Sequence, residues 1–85
     1  MYLHLGNEVI VKKSDIVGIF DIENTTTGKT TSLFLDRAQK QGNVVTVSFE
    51  MPKSFVVCMH EGKETVYICQ ISASTLRKRD EKAEL

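Results

Sequence analysis

The sequence predicts an α+β fold: a mixed, mostly antiparallel sheet of about five to six short strands, with one central helix and one C-terminal helix. Short β-rich runs bounded by turn residues occur on both sides of a single segment with helical spacing, and a second capped segment closes the chain. The 85 residues are 41% hydrophobic and 26% charged with one proline, a composition typical of a folded domain with one core.

Three strands are predicted before the central helix. Residues 2–5 alternate, positions 6–7 are a Gly-Asn turn signal, and residues 9–11 resume a β-rich run, so we expect an opening hairpin. Residues 16–20 are β-branched and aromatic with a glycine inside. This composition favours a third strand, although the Ser-Asp pair at 14–15 could cap a helix.

The central helix is predicted over residues 29–41. Side chains that suit one helix face recur at spacings of three and four: Leu33, Phe34, Arg37, Ala38 and Gln41. A turn-forming stretch at 24–28 precedes this segment, and the Gly-Asn pair at 42–43 suits the left-handed conformation that ends many helices. The sequence therefore predicts where this helix begins and where it ends.

Three more strands are predicted after the central helix. They cover residues 44–49, 54–59 and 64–71. The Met-Pro-Lys break at 51–53 separates the first two, and the tight turn at 61–63 joins the last two as a hairpin.

A final helix is predicted to begin near Ala73, because serines and a threonine at positions 72–75 offer N-caps. This segment has few apolar positions, and we expect its charged end, residues 80–85, to fray. No internal repeat or linker is present, so residues 1–79 are predicted to form a single domain.

The two cysteines lie inside apolar runs, where a thiol usually acts as a small hydrophobic side chain. Cys58 and His60 are two residues apart and would share one face of a strand, which makes them the best enzyme-like pair in the chain. No spacing matches a catalytic or metal centre, and His4 and His60 fit surface positions. We expect a protein that is not an enzyme and that uses no cofactor or metal.

The tripeptide at positions 28–30, Gly-Lys-Thr, resembles the end of a phosphate-binding P-loop. That loop needs a glycine five positions earlier, where this chain has Glu23. A carboxylate there would repel phosphate, so the stretch is interpreted as an exposed loop and helix cap.

Basic residues balance acidic residues, eleven against eleven, which argues against a monomer that coats nucleic acid by net charge. Local clusters matter more, although such charges often form an ordinary solvated face. The candidate nucleic-acid contacts are Lys12, Lys13, Lys53, Arg77, Lys78 and Arg79.

The first thirteen residues contain no basic leader followed by a long apolar stretch. No later run approaches the roughly 20 apolar residues of a membrane span. We therefore expect a cytoplasmic protein without a membrane partner.

Four runs carry a resemblance to a known family: MYLHLG at 1–6, DIVGIFD at 15–21, PKS at 52–54 and STLRKR at 74–79. Their order and content resemble the RemA/RemB family of bacterial extracellular-matrix regulators, and the chain is most similar to the RemB branch. The likeness covers nearly all of residues 1–79 and is weakest over 24–42.

The resemblance implies a cytoplasmic transcription regulator of biofilm matrix genes in spore-forming or related Gram-positive bacteria. RemA members form closed rings and bind promoter DNA, which implies a ring-like homo-oligomer here as well. A ring would repeat one modest basic cluster many times, so that a neutral protomer could present a cationic rim. DNA on that rim would be held mostly by phosphate contacts and by its own bendability.

The chain departs from RemA-like members at arginine positions. An arginine pair of those members corresponds to Met51 and Pro52, which leaves Lys53 as the basic residue, and another arginine corresponds to Asp15. An alternative therefore remains open, in which the chain is a protein interaction module that acts on a RemA-like partner without binding DNA itself.

Overall fold

The computed structural model describes residues 1–22, 28–47 and 51–83 of the chain. Within these ranges the elements are β1 (Tyr2–Gly6), β2 (Val9–Lys12), β3 (Ile16–Asp21), α1 (Gly28–Gln41), β4 (Val44–Thr46), β5 (Ser54–His60), β6 (Lys63–Cys69) and α2 (Ala73–Ala83). A short 3₁₀ turn, Lys13–Asp15, connects β2 to β3. The predicted α+β fold with two helices is confirmed.

The six strands divide between two sheets. β1 and β2 form the predicted antiparallel hairpin, while the other strands form a four-stranded sheet in the order β3-β5-β6-β4. All neighbours in that sheet are antiparallel except β4 and β6, which are parallel. The sequence predicted one mixed sheet instead. The hairpin packs its buried side chains, Leu3, Leu5 and Val11, into the larger hydrophobic core, so it covers a sheet face and does not extend a sheet edge.

The central strand β5 is buried on both of its faces, because Ser54, Phe55, Val56, Val57 and Cys58 are all buried in sequence. Successive side chains of a strand point to opposite faces, so β5 requires a layer on each side. The molecule therefore has three layers, with the four-stranded sheet in the middle.

Helix α1 forms the layer on one face of the sheet. Phe55, Val57 and Val66 of the sheet form a core cluster with Ala38 of the helix. The ring of Phe34 stacks on Phe55 with their centroids 5.7 Å apart. These contacts explain the spacing of Phe34 and Ala38, whereas Leu33, which was predicted on the same face, is 70% exposed.

The hairpin and helix α2 form the layer on the opposite face. The core there contains Leu3, Leu5, Val11, Val47, Val56, Cys58, Cys69 and Leu76. Leu76 of α2 is completely buried. Because α2 also contacts β1 and β3, the helix lies beside the hairpin across the edge of the sheet.

Several predicted boundaries match the structure. Helix α2 begins at Ala73 as predicted, and the Ser72 hydroxyl oxygen accepts a hydrogen bond from the Thr75 main-chain N–H at 3.3 Å, as an N-cap does. Helix α2 continues through Ala83. The predicted turn at 24–28 and the end of the predicted strand 44–49 fall largely outside the described residues, as does Glu23.

Gly18 provides the space for an aromatic stack on β3. A Cβ atom at Gly18 would lie 2.5 Å from the ring of Phe20, which is closer than such atoms approach. The ring of Phe20 stacks on Phe55 at a centroid distance of 5.0 Å. The glycine that interrupts this β-branched run therefore lets Phe20 lie along its own strand.

Helix α2 should contribute to stability mainly through Leu76. We expect Leu76→Ala to lower the free energy of unfolding by about 2–5 kcal/mol, because it leaves a cavity in the core. Leu33, which is 70% exposed on α1, is the matched control. Leu33→Ala should change the free energy of unfolding by less than about 0.5 kcal/mol. Urea denaturation followed by circular dichroism measures both, and equal losses would contradict this description of the core.

Candidate nucleic-acid interface

Helix α2 presents three consecutive cations, Arg77, Lys78 and Arg79, and all three are exposed. Consecutive residues of a helix are about 100° apart around its axis. Because Leu76 points into the core, Lys78 lies on the opposite, outward side of the helix. Arg77 and Arg79 lie on its two flanks.

The two arginines connect α2 to strands on either side. Arg77 donates a hydrogen bond from Nη2 to the main-chain oxygen of Ile19 on β3, at 2.6 Å. Arg79 donates from Nη1 to the main-chain oxygen of His4 on β1, at 3.4 Å. A guanidinium group has five N–H donors, so each arginine keeps further donors for an outside phosphate. These two hydrogen bonds within the chain therefore fix the positions of the guanidinium groups.

Lys13 has a structural contact that its sequence position did not predict. Its Nζ lies 3.3 Å from Oδ1 of Asp80 in α2, and it also donates a hydrogen bond to the main-chain oxygen of Asp80. The Lys13 side chain is 10% exposed. Lys13 therefore fastens the far part of α2 to the 3₁₀ turn, whereas its neighbour Lys12 is exposed.

Lys53 is exposed, and its main chain is held on both sides. Its N–H donates to the main-chain oxygen of Cys69 at 2.9 Å, and its oxygen accepts from the N–H of Ile22 at 3.0 Å. The next residue, Ser54, donates its hydroxyl to the main-chain oxygen of Ile71 at 2.6 Å, just before α2 begins. Lys53 therefore lies near the start of α2.

The predicted basic residues consequently do not form one cluster. Lys53 lies near the beginning of α2, and the cations of residues 77–79 lie along the helix. Lys13 contacts Asp80 of α2, one residue after Arg79, and its neighbour Lys12 lies on β2.

Lys12 lies on the rim of a groove between strand β2 and the exposed end of the sheet. The groove has a volume of about 460 Å³. It is lined by Tyr2, Ile10, Val11, Lys12, Asp15, Cys58, His60, Lys63, Thr65 and Tyr67. One signal for this groove was visible in the sequence, the shared strand face of Cys58 and His60, which is confirmed. The two tyrosines come from strands far apart in the chain and could not be connected by spacing.

A contact between His60 and Asp15 holds one wall of this groove. The Nδ1 atom of His60 lies 3.1 Å from Oδ2 of Asp15, which joins the end of β5 to the 3₁₀ turn. The Nε2 atom of His60 lies 3.8 Å from Oε1 of Glu61. His60 is 58% exposed at its side chain, in agreement with the predicted surface position.

Both cysteines are free and buried, as predicted for small hydrophobic side chains. Burial, together with the nearby Asp15 carboxylate, raises the pKa of the Cys58 thiol from 9.0 to about 11. Burial raises the pKa of Cys69 to about 11 as well, although a hydrogen bond with Ser54 opposes this rise. Both groups are neutral thiols at pH 7, and an activated nucleophile requires the opposite shift.

Metal-ligand clusters and membrane-spanning helices are both absent from residues 1–22, 28–47 and 51–83. Among these residues no group of three or more His, Cys, Asp or Glu side chains could hold a metal ion. No helix in the same part of the chain has the length and apolar character needed to cross a membrane.

No protein-family model matches the chain. A curated protein does: the chain is 36% identical over 80 residues to extracellular matrix regulatory protein B of Bacillus subtilis strain 168. The match covers 93% of this chain and 89% of that protein. This chain belongs to the RemB family. The resemblance noted in the sequence is thereby confirmed.

The resemblance places Met51, Pro52 and Asp15 where RemA-like members have arginines, and their surroundings in this structure are as follows. Met51 is 77% exposed and offers an apolar side chain to solvent. Pro52 beside it is half-buried. The carboxylate of Asp15 is paired with His60 and faces the groove. Met51, Pro52 and the paired Asp15 therefore offer no positive charge to a phosphate.

The raised thiol pKa values predict a loss of stability at alkaline pH. Between pH 9 and 11 the folded protein keeps its thiol protons while the unfolded chain loses them. The free energy of unfolding should therefore be unaffected by the thiols below pH 9 and should fall as the pH rises through this window. Urea denaturation across this range measures the fall.

The matched comparison is a double variant, Cys58→Ala with Cys69→Ala, which keeps every other titrating group. Its stability should fall less steeply with pH than that of the natural sequence, whatever its absolute stability. Identical slopes for the two proteins would show that the thiols do not contribute.

Proposed function

We propose that this chain is a non-enzymatic cytoplasmic regulator of extracellular-matrix, or biofilm, gene expression that binds DNA through phosphate contacts as a ring-like homo-oligomer. Family membership supports the regulatory role, because the Bacillus subtilis relative is named an extracellular matrix regulatory protein. The observation that carries the DNA contact is the set of exposed cations on and beside α2: Lys53, Arg77, Lys78 and Arg79.

The geometry of α2 suits phosphate binding. Arg77 and Arg79 are already held by hydrogen bonds to main-chain oxygens, so they lose less conformational freedom when they meet a phosphate. Lys78 points away from the core and is open to a ligand from outside. A helix surface with these three cations can contact a DNA backbone without reading base sequence.

The charge of the whole chain favours an assembly. Eleven basic and eleven acidic residues leave a formal net charge of zero, so one protomer has little long-range attraction for DNA. Repeating the α2 cations around a ring multiplies the phosphate contacts, and DNA affinity then rises through multivalency. Ring formation therefore accounts for DNA binding by a neutral protein.

The chemistry of the buried groups supports binding without catalysis. Cys58 and His60 lie on one wall of a groove, but burial raises the pKa of the Cys58 thiol to about 11. A cysteine nucleophile needs a thiolate, and this thiol keeps its proton at pH 7.

The assembly can be tested by light scattering on a sizing column. We expect one species whose mass is a multiple of the 9.6 kDa protomer and which persists at micromolar concentration. A protomer-sized mass under those conditions would refute the ring and, with it, the multivalent DNA contact.

The DNA contact can be tested with a pair of exposed lysines. We expect Lys53→Gln with Lys78→Gln to weaken binding of AT-rich duplex DNA and to reduce the slope of log affinity against log salt by about 0.9 for each phosphate that the variant no longer neutralises. Both side chains are exposed, so folding should be unchanged. Fluorescence anisotropy at several salt concentrations measures both quantities.

The control is Arg37→Gln with Lys40→Gln, which removes the same charge from exposed positions on α1, across the sheet from α2. This variant should bind DNA as the natural sequence does. If the two double variants weaken binding equally, the effect is one of net charge and the α2 surface is not the contact.

A second function is favoured by the chemistry at the RemA arginine positions. An exposed methionine at position 51 and a paired carboxylate at position 15 suit contact with protein better than contact with phosphate. In this alternative the chain binds a RemA-like protein and does not touch DNA. This alternative would be supported if the chain co-elutes with a purified RemA-like protein and leaves the anisotropy of the DNA unchanged at low salt.

A further inference from the structure

The groove beside β2 combines aromatic rings with two ammonium groups. Tyr2 of β1 stands directly opposite Lys12 of β2 in the hairpin. Across the groove, Lys63 of β6 pairs with His60 of β5. Tyr67 lies further along β6 and completes the lining. Each wall of the groove therefore carries one lysine and one tyrosine.

On the β6 wall, the side chains that line the groove follow one another along the strand. Lys63, Thr65 and Tyr67 alternate with intervening residues, so their side chains share one face at intervals of about 6.8 Å. This face presents an ammonium group, a hydroxyl and a phenol in succession. Such an arrangement can hold an elongated ligand that is charged at one end and aromatic at the other.

The lysines of the groove lining outnumber its one carboxylate. Burial, the Cys58 thiol and the Asp15 carboxylate raise the pKa of Tyr67, so its phenol keeps its proton. The carboxylate of Asp15 is partnered by His60 at 3.1 Å. Lys12 and Lys63 are exposed at the rim. The lining thus offers two cations against one paired carboxylate.

We propose that this groove binds a phosphorylated nucleoside, with its base against the tyrosine rings and its phosphate held by Lys12 and Lys63. Aromatic side chains stack on nucleobases of any sequence, and ammonium groups bind phosphate. The volume of about 460 Å³ lies within the range of about 300–1,000 Å³ typical of small-molecule sites. This site is separate from the α2 cations and does not depend on DNA binding.

Titration of the full-length chain with AMP and GMP tests the site. Calorimetry gives the affinity, and TROSY spectra of ¹⁵N-labelled protein locate the ligand. We expect shifts concentrated in residues 10–12 and 63–67, which line the groove. Adenosine and inorganic phosphate each carry half of the recognised chemistry, so each should bind at least about tenfold more weakly than AMP.

Lys63→Gln removes one ammonium group from an exposed position and should weaken AMP binding about tenfold while leaving adenosine binding unchanged. Lys40→Gln, at an exposed position on α1, is the matched control and should alter neither. Three outcomes would overturn the site: no shifts at millimolar nucleotide, shifts that map elsewhere, or phosphate alone binding as tightly as AMP. Because DNA is absent from the experiment, its failure would leave the proposed DNA contact of α2 intact.

Discussion

The structure depends on the burial of β5 on both faces. Five consecutive residues of this strand, Ser54–Cys58, are removed from solvent, and an alternating strand can achieve this only between two layers. Helix α1 supplies one layer, while the hairpin and α2 share the other. The two candidate surfaces follow from the shared layer. Cations project where α2 crosses the sheet, and a groove opens where the hairpin no longer covers β5, beside His60.

Local signals predicted the elements well. The spacing of Phe34 and Ala38 reports contact with the sheet, and the Ser72 cap and the tight hairpin turns depend on neighbours in sequence. The division into two sheets could not be predicted, because it depends on which face the hairpin covers. Residues 2–5 would show the same alternation at a sheet edge as over a sheet face.

Contacts between distant parts of the chain could not be predicted at the candidate sites either. The basic residues were visible in the sequence, but their structural contacts were not, because Lys13 meets Asp80 and Arg77 meets Ile19 across most of the chain. Each of these contacts fastens α2 to the rest of the fold, and the guanidinium of Arg77 still has N–H donors beyond the one bonded to Ile19. A substitution at Arg77 would therefore affect stability, whereas the exposed Lys78 can be replaced with less effect on the fold.

The 3₁₀ turn between β2 and β3 joins two parts of the molecule that otherwise lie apart. Asp15 at one end of the turn touches His60 in the groove, and Lys13 at the other end touches Asp80 of α2. Three residues thus connect the groove wall to the helix that carries the cations. Because side-chain contacts hold both ends of this turn, a change in the position of the turn would disturb the groove wall and α2 together.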